Sequence, residues 1–115
     1  YALGNYEDIR SWNILLQGAN NINKVIKLSN KAVATSSGGG TMFEPTNKYN
    51  HIFNPRTGLS ENKYSTVSVV SDKAWLSDSL ATSAVMLNKQ KLKFISANFN
   101  AQVYILENNK FQEIV

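Results

Sequence analysis

In the middle of this chain, four of the five residues Thr66-Val67-Ser68-Val69-Val70 are β-branched, and a helical pattern begins a few residues later. β-Branched side chains are stiff at χ1 and pack well on a pleated surface, so the run reads as a central strand. Ser71 or Asp72 can cap a helix over Ala74 to about Leu87, with Leu76, Leu80, Ala84 and Leu87 as its apolar stripe. A striped helix on so short a link to a buried strand has one place to bury its stripe, the face of the sheet.

More strands surround this unit. Trp12, Ile14 and Leu16 alternate with polar residues, and Gln17-Gly18-Ala19-Asn20-Asn21 supplies a turn that tolerates left-handed backbone. Val25, Ile26 and Leu28 form a second strand, and Lys31 to Ser36 a third made of small residues. Leu92 to Ile95 is expected as a strand, with Lys89, Lys91 and Lys93 on its wet side. Gln102 to Leu106 is another, joined through Asn108-Asn109 as a hairpin turn to Phe111–Val115. The predicted class is α+β, a mainly antiparallel sheet with one helix packed on it, in an order that pattern alone leaves open.

At 115 residues, with 43% hydrophobic and 17% charged, the chain holds one modest domain with a real core and is not disordered throughout. It has no cysteine, which excludes disulfides and thiolate chemistry, and one histidine, which excludes a multi-histidine metal site. The net charge of +4, from 12 basic and 8 acidic residues, is mild and scattered, the mark of a solvated surface rather than a nucleic-acid footprint. No run approaches the ~18 apolar residues of a membrane span. The opening Tyr1-Ala2-Leu3-Gly4 reads as the middle of a fold, so residues 1–115 are expected to be a fragment or processed piece.

Chemistry-bearing residues concentrate between Thr35 and Thr82. Asp78 and Thr82 are four residues apart on the predicted helix, so both leave one face. A carboxylate and a hydroxyl are ligands that Mg²⁺ accepts, although the same pair is common on solvated helices. His51, before the turn Asn54-Pro55-Arg56-Thr57-Gly58, is the only side chain that ordinarily titrates near neutrality, hence a candidate for proton transfer or a hydrogen-bonded packing residue. Arg56 could pair with phosphate or simply be solvated. Gly38-Gly39-Gly40 has no helix after it to present amides to a phosphate, so a mobile loop is expected, with Thr35 and Ser36 at its stem as possible ligand contacts.

The segment His51-Ile52-Phe53-Asn54-Pro55-Arg56-Thr57-Gly58 resembles the H-I-x-D/N-P-x-T-G signature of the FAD:protein FMN transferases, the ApbE-type flavin transferase family. Thr66 to Val70 followed by Ser77-Asp78-Ser79-Leu80-Ala81-Thr82 is similar to its S-V-x-V … A-D-x-L-A-T segment, and Ala32-Val33-Ala34-Thr35-Ser36 to its A-V-A-T-S-G strand. The similarity runs from about Trp12 to Leu106, is most specific from Asn50 to Thr82, and implies that residues 1–115 are the C-terminal segment of a larger α+β flavin transferase-like domain. It implies Mg²⁺-dependent transfer of FMN from FAD to a threonine or serine of an acceptor flavoprotein, with release of AMP. Asp78 and Thr82 would then be metal ligands, His51 the acid/base, and His51, Ile52, Thr57, Thr35 and Ser36 cofactor contacts. The same resemblance implies the bacterial cell envelope or the periplasmic side of the membrane, with membrane association only through an N-terminal anchor outside this sequence. Three departures stand out: Asn54 for the usual Asp, Ala81 where some members are acidic, and the altered loop Ser37–Gly40. They keep two alternatives in play, an FAD-binding or scaffold protein without transfer activity and an FAD pyrophosphatase.

Overall fold

The β-branched run becomes the most buried strand of the protein, with all six residues of Thr66–Ser71 buried. The computed structural model describes residues 1–115. In chain order its elements are β1 (Trp12–Gln17), β2 (Asn23–Leu28), β3 (Ala32–Ser36), β4 (Thr66–Ser71), α1 (Ala74–Ala84), α2 (Lys89–Asn98), β5 (Gln102–Glu107) and β6 (Lys110–Ile114). β3-β4-β5-β6 form one antiparallel sheet in that order, and β1-β2 a separate antiparallel ribbon.

Alternation along β4 and β5 sorts the two cores. Val67, Val69, Val103 and Ile105 face the helices, where they meet Leu80, Ala81, Ala84, Leu92 and Ile95. Val70 and Tyr104 face the other way and are covered by Leu16, Ile26 and Leu28 of the ribbon. The result is three layers, helices on sheet on ribbon, which bears out the α+β expectation. No helix is long and apolar enough to cross a membrane.

Three local readings are corrected. Leu92–Ile95, expected as a strand, lies inside α2, so the sheet carries two helices rather than one. Asn88 caps this helix, its side-chain oxygen accepting the Lys91 amide at 3.0 Å. Leu92 and Ile95, three apart, turn inward, whereas Phe94 is 64% exposed; a strand would have placed Phe94 on the face opposite Ile95 and given no inward pair at this spacing. α1 ends at Ala84 rather than Leu87, and its N-cap is Lys73, without a side-chain cap. Ser71, expected as a cap, instead pairs with Ser77 inside the first turn at 2.8 Å and ties the helix to β4.

The third correction concerns the glycine run. Gly38–Gly40 is a 3₁₀ turn in close contact, not a mobile loop: Ser37 accepts the Gly39 amide, and a Cβ on Gly38 would lie 2.6 Å from the Asn50 side-chain nitrogen. The turn at Asn108-Asn109 is as expected, with both residues at positive φ (51° and 58°) between paired Glu107 and Lys110.

Candidate active site

His51 is carried by a small hairpin. The Phe43 amide donates to the Tyr49 carbonyl (2.9 Å) and the His51 amide to the Thr41 carbonyl (3.2 Å). Glu44 closes its tip by accepting the amides of Thr46 (2.8 Å), Lys48 (2.6 Å) and Tyr49 (3.1 Å) together with the Thr46 hydroxyl. These donors, the Thr46 hydroxyl foremost, stabilise the ionised form and lower the Glu44 pKa from 4.5 to about 2. At the hairpin's base His51 Nδ1 lies 3.2 Å from the Thr41 carbonyl, so the tautomer protonated at Nδ1 satisfies that contact and leaves Nε2 as an acceptor.

The neighbouring Asn50 is completely buried, and its side chain works on both sides. Its oxygen accepts the Ile52 amide (3.0 Å) and its nitrogen donates to Asn62 (2.8 Å), while Ser60 bonds both its backbone amide and carbonyl at 2.9 Å. One residue thereby fixes the glycine turn, the His51 backbone and the segment after the Pro55 turn.

That turn is organised by Asn54. The carbonyl of Asn54 accepts the amides of Thr57 and Gly58, the latter at 2.8 Å with Gly58 at φ +68°. Its side-chain oxygen accepts the Arg56 amide (2.9 Å), as an aspartate would, but its nitrogen donates to Glu61 at 2.7 Å, which an aspartate cannot do. The Asn54 departure is thus matched by a carboxylate acceptor nearby.

Ser36, His51, Ile52 and Thr82 come together, with Phe53 and Met86, around one groove of about 340 Å³. Four residues named from sequence therefore meet at the end of β3, the hairpin and α1. Ile52 is mostly core, 4% exposed, and forms the floor. The Ser36 and Thr82 hydroxyls lie 3.1 Å apart, and Thr82 also donates to the Asp78 carbonyl (3.3 Å). If Ser36 donates to Thr82, one Thr82 lone pair remains for another ligand. A second hollow of about 380 Å³, lined by Asn54, Pro55, Arg56, Ser83, Leu87 and Lys91, adjoins the groove and shares Thr82 and Met86 with it.

The other named residues lie apart. Asp78 is exposed one turn before Thr82 and outside the groove lining, and it belongs to neither of the two ion pairs. Thr35 faces the ribbon side of the sheet, bonded to Ser68 at 2.7 Å. Thr57 accepts the Leu59 amide inside its turn. Sequence reasoning missed Asn50, Met86 and Lys91; only Lys91 carried a readable signal, the Asn88 cap and the three-residue spacing of Leu92 and Ile95.

As a cation site, Asp78 and Thr82 offer hard oxygen donors of the kind Mg²⁺ prefers. The set fits in kind but is incomplete in number, since no three His, Asp or Glu side chains lie close enough to hold a metal. Ala81 adds nothing to it, being fully buried against the sheet.

Comparison with known proteins agrees with this fold. The ApbE protein of Thermotoga maritima superposes with a TM-score of 0.73 at 23% identity, over 95% of this chain and 38% of its own. The flavin transferase ApbE of Vibrio cholerae gives 0.72 at 24%, over 96% and 37%. The apo flavinyl transferase ApbE of Pseudomonas stutzeri gives 0.60 at 22%, over 90% and 34%. The chain thus spans a little over a third of the length of these solved relatives. No curated protein sequence matches it. The ApbE family model matches residues 1–105, nearly the whole sequence, and the chain therefore belongs to the ApbE family.

Proposed function

We propose that this chain supplies one wall of a flavin transferase site, in which the FMN half of FAD is moved to a threonine or serine hydroxyl of an acceptor flavoprotein. The observation that carries this reading is the convergence of Ser36, His51, Ile52 and Thr82 on one groove. In the proposed reaction the acceptor oxygen attacks the FMN phosphorus. The bond from that phosphorus to the bridging oxygen breaks, and AMP leaves with the oxygen. Phosphoryl transfer of this kind depends mainly on positioning and on offsetting charge.

His51 Nε2, left free by the Nδ1 contact with Thr41, takes the proton of the attacking hydroxyl. Ile52 gives the apolar floor, and Ser36 orients Thr82 through their hydroxyl contact. A Mg²⁺ held by Asp78 and Thr82 would supply positive charge at the diphosphate. Further ligands would come from outside residues 1–115.

The test is incubation of the complete protein that carries this chain with FAD, Mg²⁺ and a competent acceptor flavoprotein. Flavin fluorescence on the denatured acceptor and one AMP per flavin transferred are expected. His51→Ala should lower the rate roughly 10²–10⁴-fold, the usual range for a lost acid/base, with FAD binding retained. An acceptor that stays dark overturns transfer. AMP release without acceptor would mark hydrolysis instead, and saturable FAD binding without AMP would mark a binding protein.

A further inference from the structure

The hollow beside the groove has an electrostatic character that the proposed chemistry leaves unused. Arg56, from the Asn54–Gly58 turn, and Lys91, from the first turn of α2, both line it, and no carboxylate does. Neither cation belongs to the protein's two ion pairs, Lys31–Asp72 and Lys89–Glu107. Glu61, which follows that turn, is engaged by the Asn54 side chain at 2.7 Å and lies outside the lining. The two cations stand on separately anchored elements. The Arg56 amide is fixed by Asn54 at 2.9 Å, and the Lys91 amide by Asn88 at 3.0 Å. The hollow lies next to the groove, with Thr82 and Met86 in the lining of both, so a reactant larger than one of them can extend into the other.

We propose that Arg56 and Lys91 form an oxyanion subsite that receives a phosphate or a carboxylate of a reactant occupying the His51 groove. This rests on the transferase reading for the identity of the reactants, FAD as the phosphate source and the acceptor protein as the carboxylate source. A guanidinium can grip either planar carboxylate or phosphate in two-point fashion, and a lysine adds a mobile point charge. Unpaired cations lining one hollow attract an anion from a distance, and their contribution weakens with salt.

The experiment compares wild type with Arg56→Ala/Lys91→Ala, and uses Lys93→Ala as a control, an exposed α2 residue outside the hollow. FAD affinity is measured by calorimetry, and the acceptor KM by the transfer assay, each at low and high salt. A rise of roughly tenfold in FAD Kd in the double variant, with a flattened salt dependence, assigns the subsite to phosphate. An unchanged FAD Kd with a similar rise in acceptor KM assigns it to carboxylate. Restoration by Arg56→Lys/Lys91→Arg separates charge from folding damage. Values equal to wild type in both arms overturn the subsite.

If wild type transfers no flavin, the functional reading falls independently. Calorimetric titration with inorganic pyrophosphate then decides the subsite alone. Binding weakened in the double variant supports it, and equal or absent binding in both proteins overturns it.

Discussion

The two halves of this molecule are held together by different forces. In the layered half, β3 to β6 and both helices, apolar side chains on alternating strand faces meet helix stripes. Between Ser37 and Ser65 there is no regular strand or α-helix beyond the 3₁₀ turn at Gly38–Gly40. That segment sends only Ile52 and Tyr64 into the main core and is otherwise fixed by polar side chains: Ser37, Glu44, Asn50, Asn54 and Ser60 each bond nearby backbone. The layered half resists through many interchangeable contacts. The polar half depends on a few directional ones, and it is this half that presents His51.

The largest effect that should expose this contrast is a core truncation. Leu92 is completely buried between α2 and the sheet, and Leu92→Ala should cost about 2–5 kcal/mol of global stability. Well below the melting transition the groove should keep its ligand affinity. Asn50→Ala should cost less, about 1–3 kcal/mol, because it strands the buried Ile52 amide without an acceptor. Its local damage should be greater, with FAD affinity falling even at temperatures where the protein is fully folded. Thermal melts and calorimetry on both variants test the contrast. Equal loss of FAD affinity in the two would mean that the halves are not separable.

The same division explains what was legible in the sequence. β4, the core of α1 and the Asn108-Asn109 hairpin follow from local pattern, because β-branching, stripes and left-handed asparagines act within a few residues. α2 was misread since three alternating lysines outweighed the single inward pair Leu92 and Ile95. The glycine turn was misread because its entropic cost is visible in sequence, whereas the Asn50 side chain it packs against is distant. Ser36, His51, Ile52 and Thr82 could be named beforehand and do share a groove. That Thr35 faces the ribbon follows from strand alternation once Ser36 is placed on the helix side. Lys91 comes to the same hollow as Arg56 only because Lys89–Asn98 is a helix, which the strand pattern of its lysines hides.

A smaller lesion sharpens the comparison at the Pro55 turn. Asn54→Asp keeps an acceptor for the Arg56 amide but sets a carboxylate against Glu61 where a 2.7 Å hydrogen bond now stands. At neutral pH the repulsion and lost bond should cost about 1 kcal/mol in this partly exposed place. Glu61→Gln on the same background should restore it by supplying a donor. If Asn54→Asp is neutral at pH 7 by chemical denaturation, the pairing of Asn54 with Glu61 does not explain the departure at this position.

The smallest effect should be confined to the His51 hairpin and read by pH. Glu44 is ionised in the fold down to about pH 2, against 4.5 without its donors. The folded value is the lower one, so its contribution is fully present above about 4.5 and is lost as pH falls through about 2. Because the carboxylate stands in solvent, the consequence is local opening rather than unfolding. Amide exchange at Lys48 and Tyr49 should stay slowed, relative to their intrinsic rates, at pH 3.5 in wild type and lose that protection near pH 2. In Glu44→Gln it should be weaker at every pH and show no such step. A wild-type midpoint near 4.5 would mean that the amides do not hold the carboxylate. The hairpin that presents His51 would then have to be closed by its main-chain bonds, Phe43 to Tyr49, Asn47 to Glu44 and His51 to Thr41, and by the His51 ring contact with Thr41.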